Sequence, residues 1–221
     1  MTGEEWILVV TGLLLLIAWA VWIEASRLDR LHRKVAASAA VLDHQLLRRA
    51  TVAVELASAG VLDPVSSVLV AEAAFAALEV GGRGVDAPEL LVPDLEELIR
   101  SAGSTTSRPG AAGVADREGV ESELSSTVRT ALEDPAEVSI VREEPGGAEL
   151  IDALAAAWYR VQLARRFHNE AAAQTQRVRR KLVIRTLRVA GRAPVPQTLE
   201  FDDAWPDGLG RPGAAGNSPA V

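Results

Sequence analysis

Hydrophobic and polar positions divide this chain into one uncharged run followed by long amphipathic stretches. Residues 6–23, WILVVTGLLLLIAWAVWI, carry no charge. As an α-helix they span about 27 Å at 1.5 Å per residue, close to the roughly 30 Å hydrocarbon core of a bilayer. Trp6 stands at one edge and Trp19 and Trp22 near the other, where indole rings sit well among headgroups. The pattern predicts a membrane-spanning helix. A cleaved signal peptide is the competing reading, because Ala18-Trp19-Ala20 has the small-x-small form of a cleavage site. Glu4 and Glu5 stand where a signal peptide wants positive charge, and the apolar run is longer than a typical h-region. The uncleaved anchor is therefore expected.

From residue 24 to about 58 the pattern is amphipathic. Leu28, Leu31, Val35, Ala39, Leu42, Leu46, Ala50, Ala53 and Ala57 step by three and four and repeat every eleven residues, a period close to that of a straight helix. The stripe predicts a continuous helix that packs on partner helices and stops at Gly60. Asp63-Pro64 supplies an N-cap and a first-turn proline for a second helix, running to about Val80 and ended by the glycines of residues 81–84. A short helix over 90–100 is interrupted near Pro93. Residues 101–113 (SAGSTTSRPGAAG) are too poor in apolar side chains to pack, and open a flexible loop that extends to about 116. A third helix over 117–132 ends before Pro135. After a Pro/Gly-rich connection a long helix over 147–190 is closed by Gly191, Pro194 and Pro196.

These elements predict an all-α chain in three parts: a short external amino terminus and transmembrane helix (1–23), an antiparallel bundle of about four helices (24–203), and a disordered tail (204–221). No repeat of 20–50 residues is visible. In the last helix Leu154, Ala157, Val161, Ala164, His168, Ala171, Thr175, Val178 and Leu182 form a heptad-like, coiled-coil seam. His168 and Thr175 fall within it and are expected to face partner helices, where a polar residue fixes register. A ligand or proton-transfer role for His168 is the sharper alternative. Asn169 sits beside the seam.

With an amino-terminal membrane helix before them, LDRLHRKV (28–35), LDHQLLRRA (42–50) and ARRFHNEA (164–171) resemble the LemA family. The resemblance covers both long helices, about 24–57 and 150–203, and is faint in between. Arg48, Arg49, Arg165, Arg166, His168 and Asn169 are the motif and packing positions it singles out. Ala164, Arg165 and Asn169 match the family pattern, and His168 stands where tyrosine is usual. The resemblance implies a membrane-anchored helical bundle with its amino terminus outside, in a family without an established activity.

Charge adds orientation. Arg27, Arg30, Arg33 and Lys34 crowd the carboxyl side of the apolar run and no Lys or Arg precedes it, so the positive-inside rule puts everything after Glu24 in the cytoplasm of a single-pass cell-membrane protein. The net charge of −7 conceals an asymmetry: 160–192 holds ten basic residues and one acid, whereas acids dominate 60–150. Arg177, Lys181, Arg185, Arg188 and Arg192 lie near one face of the last helix. If the helices alternate in direction, this face returns beside Arg27, Arg30, Arg33 and Lys34, where anionic lipid headgroups are one candidate partner. Pairing with the acidic middle of the chain is the alternative.

Chemistry is sparse. With no cysteine, disulfides and thiol catalysis are excluded. His32, His44 and His168 are too scattered for a metal motif, and the Gly81–Gly84 run lacks a P-loop's GK[ST]. No cofactor and no catalytic residue is assigned, and the expected role is that of a scaffold or protein-interaction module. A membrane-tethered nucleic-acid binder using the basic face is the runner-up, opposed by net acidity and by the lack of stacking aromatics near that face. An unrecognised enzyme with a site around His168 and Asn169 is the third possibility.

Overall fold

A computed structural model describes residues 3–85, 111–181 and 195–210, and every regular element among them is an α-helix. Five are present: α1 (Gly3–Ser58), α2 (Pro64–Val85), α3 (Ala111–Ala131), α4 (Pro135–Glu143) and α5 (Gly147–Arg179). The chain divides into two units, Met1–Ser38 with His168–Thr198 (unit 1) and Ala39–Phe167 with Leu199–Val221 (unit 2).

The apolar run and the first amphipathic stretch are a single helix of 56 residues. The eleven-residue stripe sets its inner face, burying Leu28 and Leu31 in unit 1 and Leu42, Leu46, Ala50, Ala53 and Ala57 in unit 2. Gly60 closes α1 with φ of 71°, a left-handed conformation that glycine adopts without a Cβ clash. Asp63 caps α2 by accepting from the N–H groups of Val65 (3.0 Å) and Ser66 (3.1 Å).

The second helix does not stop near residue 80. It runs through the glycines to Val85 because Gly81 lies against α1: an added Cβ there would stand 2.7 Å from Leu47 Cδ2. The glycine allows two helices to approach, and packing overrides the breaker signal. The third helix begins at Ala111, so the last residues of the loop expected to reach 116 are helical. The rest of that loop and the helix expected over 90–100 lie outside the described residues. Helix α4 occupies what the pattern presents as a mere connection. Asp134 accepts from the Ala136 N–H at 2.8 Å, Pro135 opens the first turn, and Val138 and Val141 are buried. This is the same Asp-Pro signal that starts α2.

The α5 seam is buried from Leu154 through Val178, His168 and Thr175 included. The helix ends at Arg179, well before residue 190, where the Lys181 N–H donates to the Val178 carbonyl and tightens the last turn. Residues 182–194 lie outside the described residues.

In unit 2, helices α1, α2, α3 and α5 share one core, with Ala53, Leu56, Val70, Ala74, Leu124, Val128, Ile151 and Leu154 at its centre. A non-helical strap covers part of it. In the strap Phe201, Pro206 and Leu209 are buried, and the Asp203 carbonyl accepts from Trp158 Nε1 (3.1 Å) and Gln162 Nε2 (2.7 Å). Gly208 fits there because a Cβ would come within 2.4 Å of the Leu132 carbonyl oxygen. Residues 211–221 lie outside the described residues.

Among the described residues two helices are long and apolar enough to cross a membrane. The one in α1 starts at Trp6, and its most apolar window has no residue buried in the protein. The other, Pro64–Gly82 of α2, turns one face into the core of unit 2.

Candidate functional site

Unit 1 is an antiparallel helix pair, in which descent along α1 is matched by ascent along α5. Ser38 Oγ meets His168 Nδ1 at 3.2 Å, His32 Nε2 meets Arg179 Nη1 at 3.3 Å, and Glu24 Oε1 meets Lys181 Nζ at 3.6 Å. Leu28, Leu31 and Val178 form a small apolar cluster between the two helices. The pairing brings the basic end of α5 beside the first turns of α1 after the apolar run.

A basic surface results. Arg27, Arg30, Arg33 and Lys34 are exposed on α1, and Arg177, Arg180 and Lys181 are exposed on or just after α5. The acids seen beside them belong to α1: Asp29 pairs with Arg33 and Glu24 with Lys181. His32 stands within this surface with its pKa held below the ordinary imidazole value, first by burial and then by the Arg179 guanidinium. A neutral His32 can accept the Arg179 hydrogen bond, which an imidazolium could not. Arg185, Arg188 and Arg192 lie outside the described residues.

The six motif positions separate into distinct roles. Arg48 and Arg166 are exposed. His168 is buried in unit 1, its Nε2 donating to the Gln197 carbonyl at 3.3 Å, with half-buried Asn169 beside it.

Arg49 and Arg165 anchor a second constellation, inside unit 2. Arg49 is wholly buried, with Nη2 on Glu121 Oε2 at 2.8 Å and Nη1 on Ser125 Oγ at 3.0 Å. Its guanidinium lies 4.8 Å from the Trp158 ring centroid and 5.7 Å from that of Phe201. Arg165 lies 5.3 Å from the Phe201 ring centroid and grips Asp203 through two hydrogen bonds of 2.8 and 2.9 Å. Burial pushes the Arg49 guanidinium below its ordinary pKa, and Glu121 opposes that shift. Glu121, Trp158, Phe201 and Asp203 are the residues that sequence reasoning does not reach. Their carboxylates are held in ion pairs and their rings lie against guanidinium groups, an arrangement that ties helices and strap together.

Among the described residues no group of three or more His or acidic side chains could hold a metal ion. The concavities there are open and shallow: one of about 200 Å³ is lined by Ser66, Leu69, Ser126 and Thr130, another of about 290 Å³ by Arg129, Glu133, Trp205 and Asp207. Comparison with family models, with curated proteins and with solved structures finds no match to this chain.

Proposed function

We infer that this chain is a LemA-like, single-pass protein of the cell membrane, whose body is a non-catalytic scaffold or interaction module on the cytoplasmic side. One observation carries the reading. Between Trp6 and Ile23 thirteen large apolar side chains are exposed on one uncharged helical stretch. At about 1.5–3 kcal/mol for each such side chain withdrawn from water, transfer of this stretch to lipid gains roughly 20–40 kcal/mol. That is several times the stability of a folded domain, which supports an apolar environment for this stretch. The basic surface of unit 1 follows directly along α1, where the positive-inside rule locates the cytoplasmic headgroups and where anionic lipid is the natural counter-charge.

The absence of cysteine makes the test direct. Single-cysteine variants Thr2→Cys and Ala214→Cys are treated in intact cells with a membrane-impermeant thiol reagent, alongside fractionation. Labelling of T2C alone, in the membrane fraction, is the expected result. Labelling of A214C would reverse the orientation, and recovery of a trimmed product away from the membrane would overturn the anchor.

A further inference from the structure

Two exposed apolar stripes on unit 2 are left uncovered by its own core. On α2, Val65, Val68, Leu69 and Phe75 are each more than half exposed, at 68, 65, 51 and 58 %. On α5, Tyr159, Leu163 and Phe167 recur at four-residue spacing and are 51, 41 and 57 % exposed. The chain has only three phenylalanines and one tyrosine, and three of these four rings stand on the two stripes. Aromatic side chains and arginine are the types enriched at protein interfaces.

Charge decides what covers them. The α2 stripe contains exposed Glu72, with Glu79 exposed two turns further on, whereas the α5 stripe is flanked by exposed Arg160 and Arg166, with one exposed acid, Glu170, beyond its end at Phe167. Lipid is a poor occupant for α2, since Glu72 falls at the middle of the apolar window Pro64–Gly82, where a charge costs about 2.5–3.5 kcal/mol at a bilayer centre. Two α2 stripes facing each other would juxtapose acids, and two α5 stripes meeting at Leu163 would set Arg160 and Arg166 against like charges, with Glu170 outside the overlap. An α2 stripe against an α5 stripe pairs apolar rows of similar length, about 15 and 12 Å at 1.5 Å per residue, and opposite charges.

We propose that the α2 stripe of one copy of this chain docks on the α5 stripe of a second copy. The contact is head-to-tail, so it repeats from copy to copy and builds rings or open rows. This deepens the interaction-module reading and rests on it: the partner is the chain itself, and a membrane tether raises its effective concentration.

Crosslinking of full-length chains in vesicles and, in parallel, in detergent tests the proposal. Val68→Cys and Leu163→Cys proteins, tagged differently and mixed, are oxidised briefly. A mixed V68C–L163C disulfide is expected to dominate over either like pair. Adding Glu72→Arg to the V68C protein, or Arg166→Glu to the L163C protein, should lower the mixed product at least about fivefold, and adding both should restore it. All four positions are exposed, and helicity of each variant is checked by circular dichroism. Predominance of V68C–V68C product, equal yields of all pairs, or no rescue by the double exchange would each overturn the head-to-tail contact. A chain that floats with vesicles but gives no crosslink leaves the tether standing and removes only this proposal. Loss of flotation removes the tether, and the detergent arm still decides the contact.

Discussion

Arg49 holds a permanent charge where no water reaches it. Its stability depends on Glu121, Ser125 and the faces of Trp158 and Phe201, because an unpaired buried guanidinium costs several kcal/mol. Glu121→Gln is therefore expected to destabilise the chain by roughly 3–5 kcal/mol, the range for breaking one side of a buried pair. The double variant Arg49→Met/Glu121→Leu, which removes both charges at similar volume, should recover most of that loss. Urea unfolding of the full chain in detergent micelles, followed by far-ultraviolet circular dichroism, reads both. A Glu121→Gln midpoint equal to that of the parent would mean that the charge is not confined as described. Little of this was legible in the sequence. The run LRRA offers two adjacent arginines, of which Arg49 turns inward and Arg48 outward. The partner carboxylate is 72 residues away on a helix whose polar surface shows no stripe marking Glu121 as buried.

Local signals behave differently at the scale of elements. The stripes of α1 and α5 are periodic over many turns and fix their helices and inner faces from sequence alone, as the buried run from Leu154 to Val178 shows. The Asp-Pro start is equally readable, and Asp134-Pro135 carries it as plainly as Asp63-Pro64. Only the proline- and glycine-rich surroundings hide α4. Gly81 and Gly82 mark where local rules lose to packing, and they separate two effects. At Gly82 a Cβ would meet nothing within 4 Å, so Gly82→Ala should raise stability by about 1 kcal/mol through helix propensity. At Gly81 the same gain is opposed by contact with Leu47 Cδ2 at 2.7 Å, an overpacking cost of about 1–3 kcal/mol. Thermal unfolding should rank Gly82→Ala above the parent and Gly81→Ala no higher than it. If both stabilise equally, the close approach of α2 to Leu47 is not what keeps glycine there.

At the scale of the whole molecule the two units divide the work. Unit 2 holds the core and the buried ion pairs, and unit 1 holds what a membrane would meet. The antiparallel pairing of α1 with α5 follows from two seams of comparable length, whereas the strap over 195–210 has no periodicity to announce it and was legible only as an end to the helix. The pairing has an electrostatic consequence. Arg27, Arg30, Lys34, Arg177 and Arg180 are exposed on one unit, and Arg33 and Lys181 beside them are partly neutralised by Asp29 and Glu24. On the tethered reading proposed above, at about 1 kcal/mol for each basic residue near an anionic leaflet, the five with no acid paired to them among the described residues would contribute about 5 kcal/mol, enough to hold this surface on the headgroups. A Gln174→Cys variant of the full chain, labelled with an environment-sensitive dye on the exposed side of α5, reports that approach. In vesicles its emission should shift to shorter wavelength as the anionic lipid fraction rises. The shift should vanish near 1 M salt, where the screening length is about 3 Å. Replacing Arg27, Arg30, Lys34, Arg177 and Arg180 by Gln should abolish it at low salt. Emission indifferent to lipid charge, with the protein still in the vesicle, would mean that the basic surface of unit 1 faces solvent and takes no part in holding the body to the membrane.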